Sequence, residues 1–126
     1  HRRRFTVARA TLRIILARYL NIHPRQLSFN YNKHGKPFIP EAKNLQFNLS
    51  HSEELALLSV GCETALGIDL EFFSARPYLG IGNHLFSHHE IQALQQANLS
   101  VRPLIFFNIW AQKEAFIKAC AVKLVF

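Results

Sequence analysis

Negative charge is missing from the first third of this 126-residue chain: every charged residue before Glu41 is basic, namely Arg2, Arg3, Arg4, Arg9, Arg13, Arg18, Arg25, Lys33 and Lys36. Aspartate is scarcer still, and Asp69 is the only one. Cysteine is limited to Cys62 and Cys120, which fit neither CxxC nor any Cys/His ligand spacing. That excludes a disulfide framework and a zinc module, and neither thiol stands out as a nucleophile. No apolar run approaches the length that crosses a bilayer, and Arg2-Arg3-Arg4 leads into an amphipathic pattern rather than a signal core. The expected location is the cytoplasm, with reduced thiols. A glycine-rich Walker loop is absent, and Ser50 lacks the flanking glycines of a hydrolase elbow.

What is present argues for one folded domain spanning 1–126. Hydrophobic residues make up 49% of the chain, including eleven phenylalanines, which rules out disorder. The net charge of +7 sits mainly in the first third and points to a polyanionic partner: nucleic acid, an acidic protein surface or a multiply phosphorylated small molecule. Taken singly, each arginine reads as solvated helix surface.

The periodicity of Phe5, Ala8, Leu12, Leu16 and Tyr19 predicts an amphipathic helix from Arg4 to Leu20. Gln26 to Tyr31 alternates like a strand, and Asn32 to Pro37 is a turn-rich loop. Strands are expected at Leu45 to Leu49, Leu55 to Val60 and Ala65 to Phe72, the last two joined as a hairpin through Gly61-Cys62-Glu63-Thr64. Beyond Phe73 the pattern turns helical. Ser87-His88-His89-Glu90 has capping-box spacing for a short helix to about Gln96, and Ser100 is placed to cap a longer one to about Cys120, with Pro103 in its first turn. Helix, strands and helices in that order define an α+β domain.

Several groups of residues could carry chemistry. In the expected strand Ala65–Phe72, alternation puts Asp69 and Glu71 on one face and Ile68, Leu70 and Phe72 on the other, which suits a hard cation such as Mg²⁺. The plain alternative is the polar face of a surface strand. Asn48, Ser50 and His51 close another strand with donors that can hold a phosphate, although such residues commonly serve turns. Lys36, between Gly35 and Pro37, can aim an ammonium at an anion. Glu114 and Lys118, four apart on one helix, read as a surface ion pair, or beside a metal as a third carboxylate and a phosphate-binding or proton-donating ammonium.

Four segments in order, Gly35-Lys36-Pro37, Phe47-Asn48-Leu49-Ser50-His51-Ser52, Gly67-Ile68-Asp69-Leu70-Glu71 and Trp110 to Lys118, resemble the signatures of the 4'-phosphopantetheinyl transferases of the surfactin-synthetase-activating type. The resemblance runs from about Phe5 to Lys118. It implies the first half of that fold (a helix plus an antiparallel sheet, residues 1–73) and the helical start of the second (74–126). It implies Mg²⁺-dependent transfer of phosphopantetheine from coenzyme A to a serine of an acyl or peptidyl carrier protein, releasing adenosine 3',5'-bisphosphate. Asp69, Glu71 and Glu114 would be the metal ligands. Ser50, His51 and Lys118 would contact phosphates, Lys36 the nucleotide end, and Arg4 or Arg13 the 3'-phosphate or the carrier. Glu114 would be the base and Lys118 a candidate acid.

This sequence departs from the family pattern in two places. The family continues after the final lysine with Gly-x-Gly-Leu, where Ala121-Val122-Lys123-Leu124 stands here, and its second half extends further than this chain, which ends eight residues after Lys118. The expectation is therefore a truncated or partner-dependent form. Trp110, Phe106, Phe107, Ile117 and Phe126 are expected to leave an apolar face that promotes self-association. Two other functions compete: a remnant that only binds coenzyme A or a carrier protein, and a basic nucleic-acid-binding module. The second leaves Asp69, Glu71 and Glu114 unexplained. No membrane partner is expected.

Overall fold

In the computed structural model, residues 2–72 and 83–120 are described. Helix α1 spans Arg2–Leu20 and buries Leu12, Leu16 and Ala17. Only the middle of the expected stripe turns inward, for Phe5 and Tyr19 are exposed. The helix ends on Asn21 at φ 54°, where Ile22 N–H bonds Ala17 O and Asn21 N–H bonds Arg18 O. That left-handed residue satisfies the last carbonyls in a Schellman arrangement, the role Gly or Asn fills best.

The expected strand from Gln26 to Tyr31 is shorter than the alternation implies. Pro24–Gln26 forms a 3-10 turn boxed by His23 and Gln26, and only β1 (Asn30–Tyr31) pairs, antiparallel, with β2 (Pro37–Phe38). Asn32 Oδ1 accepts from the N–H groups of His34 and Lys36, and Gly35 takes φ 85°, closed to a side chain without strain.

The main sheet is a hairpin of β3 (Leu45–Ser52) and β4 (Leu55–Cys62), in register from Leu45 opposite Cys62 to Ser52 opposite Leu55. This corrects the expected pairing of Leu55–Val60 with Ala65–Phe72. The turn is Glu53-Glu54, which carries no glycine signal; Glu53 adopts φ 53° instead, and Arg4 bonds both carboxylates. Residues 65–72 form no strand. They cross the hairpin face, where Ile68 N–H donates to Asn48 Oδ1 (2.8 Å) and Leu70 N–H to Ser50 Oγ (3.0 Å). Side chains thus replace the backbone ladder.

Helix α2 (His88–Gln96) starts with the expected capping box of Ser87 and Glu90. Helix α3 (Arg102–Ala119) does not start as expected: its cap residue is Val101, with no side-chain cap. Arg102 Nη2 instead bonds the carbonyls of Gln95 and Ala97, tying α3 to the end of α2.

Two cores result. Leu12, Leu16, Leu27, Ile39 and Phe47 pack under the β3–β4 hairpin. Phe86, Leu94, Phe106 and Phe107 form the second, with Trp110 against it. Phe106 and Phe107 are therefore covered by α2, not left on an apolar face; Phe116 and Leu104 are the exposed members of α3. The expected boundary at 73/74 and Phe126 lie outside the described residues. No helix among the described residues is long and apolar enough to cross a membrane.

Candidate active site

Residues 65–72 lie between the hairpin face and α3. Gly67 sets the closeness of that fit: a Cβ there would stand 1.8 Å from Ala115 O and 2.5 Å from Ala119 N. No real side chain survives such distances, so this position needs glycine for its lack of bulk. Ala115 and Ala119 are small residues one turn apart at the same contact.

With the backbones this close, the α3 face bearing Trp110, Glu114 and Lys118 meets the acidic segment. Lys118 Nζ bonds Asp69 Oδ1 at 3.0 Å and Ile68 O at 3.0 Å. Eight residues earlier, Trp110 Nε1 donates to Glu71 Oε1 at 2.9 Å. Lys36 closes the other end, its ammonium 2.7 Å from both Leu66 O and Lys118 O. The β1–β2 turn, the acidic segment and the end of α3 are joined by that one side chain.

Asp69 is the most buried charge here, its side chain 6% exposed, and its Oδ2 is buried with no hydrogen-bond partner. Burial raises the Glu114 carboxyl above the usual carboxylate range, and the Asp69 charge adds to the rise against the pull of Lys118. Glu114 is thus within electrostatic reach of both. Burial also holds the Lys36 ammonium below the usual lysine value; Cys120 opposes that shift, while the positive Lys118 adds to it.

The fit to a divalent cation can be judged from these groups. Hard oxygen donors and an orphaned buried Asp69 oxygen suit Mg²⁺. Among the described residues, however, no group of three or more His, Cys, Asp or Glu side chains is gathered to hold a metal ion. Glu71 is turned to Trp110, and the Lys118 ammonium stands at Asp69. The oxygen chemistry fits, while the three carboxylates are not gathered at one point.

Other expected site residues are placed apart or otherwise engaged. Ser50, buried, serves the Leu70 amide. His51 is exposed near the hairpin end, with its ring edge-on to Phe5. Arg13 bonds the carbonyls of Pro24 and Leu27 and lies over the Phe29 ring, a structural tie. Arg4 is paired with Glu53 and Glu54. A cleft of about 700 Å³ between α1 and the hairpin is lined by Arg3, Arg4, Leu49 and His51, and does not include Asp69 or Lys118. A smaller one of about 260 Å³ reaches from Lys36 and Asn32 to Ala65 and Ala119. The charged seam, not the larger cleft, holds Asp69, Lys118 and Lys36. Sequence reasoning missed Gly67 as a site builder, for which the pairing of a glycine before Asp69 with two alanines four apart was the available signal, and it grouped Asn48 with phosphate or turn residues where the structure makes it the acceptor for the Ile68 amide.

Comparison with known proteins covers the segments that form this seam. Residues 65–126, which contain its acidic and helical sides, match the 4'-phosphopantetheinyl transferase superfamily. The chain belongs to that family. Among curated relatives it is 40% identical over 123 residues to 4'-phosphopantetheinyl transferase HetI of Nostoc sp., covering 94% of this chain and 52% of that protein. It is 31% identical over 107 residues to a 4'-phosphopantetheinyl transferase of Bacillus subtilis, with 85% and 47% covered. It is 29% identical over 108 residues to the transferase Sfp of Bacillus subtilis strain 168, again with 85% and 47% covered. The chain spans about half the length of these relatives.

Proposed function

We propose that this chain forms the metal-binding and phosphate-binding side of an enzyme that transfers 4'-phosphopantetheine from coenzyme A to a serine of an acyl or peptidyl carrier protein. The observation that carries the reading is the meeting of Asp69 with Lys118 and Glu114, brought together from distant parts of the sequence inside the region that matches the family. Asp69, Glu71 and Glu114 would hold Mg²⁺, which supplies charge neutralisation on the pyrophosphate.

The protein's own groups do the rest. The serine oxygen forms a bond to the β-phosphorus as the bond to the adenosine 3',5'-bisphosphate oxygen breaks. Glu114 takes the serine proton as general base. Lys118, one helical turn on, offers its ammonium to the leaving phosphate as charge partner and proton source. Ser50 and His51 mark the hairpin side of the phosphate site, and Lys36 fixes the helix end beside the nucleotide. Arg4 contributes positive charge at the rim.

The engagement of Arg4 and Arg13 within the chain weighs against a nucleic-acid-binding module, since two of the residues such a module would use are already paired. Calorimetry with coenzyme A, with and without Mg²⁺, tests the reading. Binding strengthened by Mg²⁺ and lost in Asp69→Ala supports it; equal heats in both proteins would remove its basis.

A further inference from the structure

One contact at the seam is not required by transfer. An ammonium meant for phosphates would be expected to face open space, yet Lys118 is turned onto the buried Asp69, with Nζ 3.0 Å from Oδ1 and 3.0 Å from the Ile68 carbonyl. Asp69 is nine-tenths buried and its second oxygen has no hydrogen-bond partner. A carboxylate in that setting needs a positive neighbour, because removing one partner of a buried pair leaves an uncompensated charge. Lys118 is that neighbour. Its side chain is still 29% exposed, so a path to solvent exists, while its backbone carbonyl is pinned by Lys36 at 2.7 Å. The side chain can swing without the helix moving.

We propose that Lys118 is the resident counter-ion of Asp69, and that a divalent cation and the Lys118 ammonium compete for this carboxylate. Cation binding then releases the ammonium toward the anionic substrate. The inference rests on the reading of Asp69 as a metal ligand. Two cations within about 4–6 Å of one carboxylate repel each other, so each weakens the other's hold. By linkage the effect is reciprocal: removing the lysine charge strengthens metal binding by the factor with which metal weakens the ion pair.

The test is Mn²⁺ binding followed by electron paramagnetic resonance on folded protein without coenzyme A. Lys118→Met should bind Mn²⁺ at least about fivefold more tightly than the parent, at the low end of ordinary coupling energies. Lys118→Arg, which keeps the charge, should bind like the parent, and Asp69→Asn should lose the site. Parent-level or weaker binding by Lys118→Met overturns the inference while leaving the metal reading standing. Absence of Mn²⁺ binding by parent and Lys118→Met alike overturns both. A second measurement needs no variant: the ¹H–¹⁵N signal of the hydrogen-bonded Lys118 ammonium should disappear as Mg²⁺ saturates the parent, and a signal unchanged at saturation contradicts the competition.

Discussion

The two halves of the described structure are held together by different means. Around α1 and the β3–β4 hairpin the core is mainly aliphatic, built from Leu12, Leu16, Leu27 and Ile39 with Phe47. Around α2 and α3 it is aromatic, with Phe106 stacked on Phe86 at 5.2 Å and on Trp110 at 6.0 Å, and edge-on to Phe107 at 5.1 Å. Between them lies a seam made of lysine, carboxylate, carbonyl and amide contacts around a glycine. Apolar burial stabilises each half, whereas directional bonds fix how the halves meet. Chemistry that depends on aligning Asp69 with Glu114 and Lys118 belongs at the directional contact.

The strongest way to break this comparison is to damage one core and watch the other. Phe106→Ala should cost about 3–5 kcal/mol in urea unfolding and shift the emission of Trp110, because an aromatic ring is removed from the centre of its cluster. Leu16→Ala should cost about 2–5 kcal/mol yet leave the Trp110 emission of the native protein unchanged, since Leu16 belongs to the other core. Equal emission changes in both variants would mean that the halves are not separate packing units.

Breaking the seam should look different again. Gly67→Ala forces a methyl group into the α3 backbone, costing about 1–3 kcal/mol of overpacking while separating Asp69 from Lys118. Circular dichroism should keep its helical signal while coenzyme A binding is lost; retained binding would show that the close approach is not needed. Removal of the Asn48 side chain by Asn48→Ala leaves the Ile68 amide without its acceptor and should cost about 1–3 kcal/mol. Accelerated hydrogen exchange confined to residues 65–72 is the expected signature.

The smallest effect sharpens the second half alone. Burial tends to raise the Glu90 carboxyl, but hydrogen bonds from Lys113 and Ser87 and the Lys113 charge outweigh it and hold the group below the usual carboxylate range. Its folded pKa is below the unfolded one, so the stabilisation is present above the ordinary glutamate range and is lost as pH falls through the folded value. Unfolding measured from about pH 6 down to about pH 3 should show a shallower acid loss in Glu90→Gln than in the parent.

These contrasts also explain what could be read from the chain directly. The capping box of Ser87 and Glu90, the Leu12 and Leu16 stripe and the Glu114–Lys118 spacing are local signals, and each appears where expected. Asp69 and Glu71 could be recognised as unusual in an apolar run for the same reason. The hairpin could not, since Glu53-Glu54 lacks any turn residue that favours its φ, and the acidic segment looked like a strand from its alternation, whereas two of its amides are served by Asn48 and Ser50, which are distant in sequence. Arg13 looked like an anion ligand until the carbonyls of Pro24 and Leu27 came into reach. Side chains that bridge elements carry no periodicity, and the seam is made of them.

The most direct test of the seam as a transfer site is the intact mass of an apo carrier protein incubated with this protein, coenzyme A and Mg²⁺. The account predicts a gain of one phosphopantetheine arm with the parent and none with folded Asp69→Asn. A carrier protein left unmodified by the parent, or modified equally by both, would contradict it.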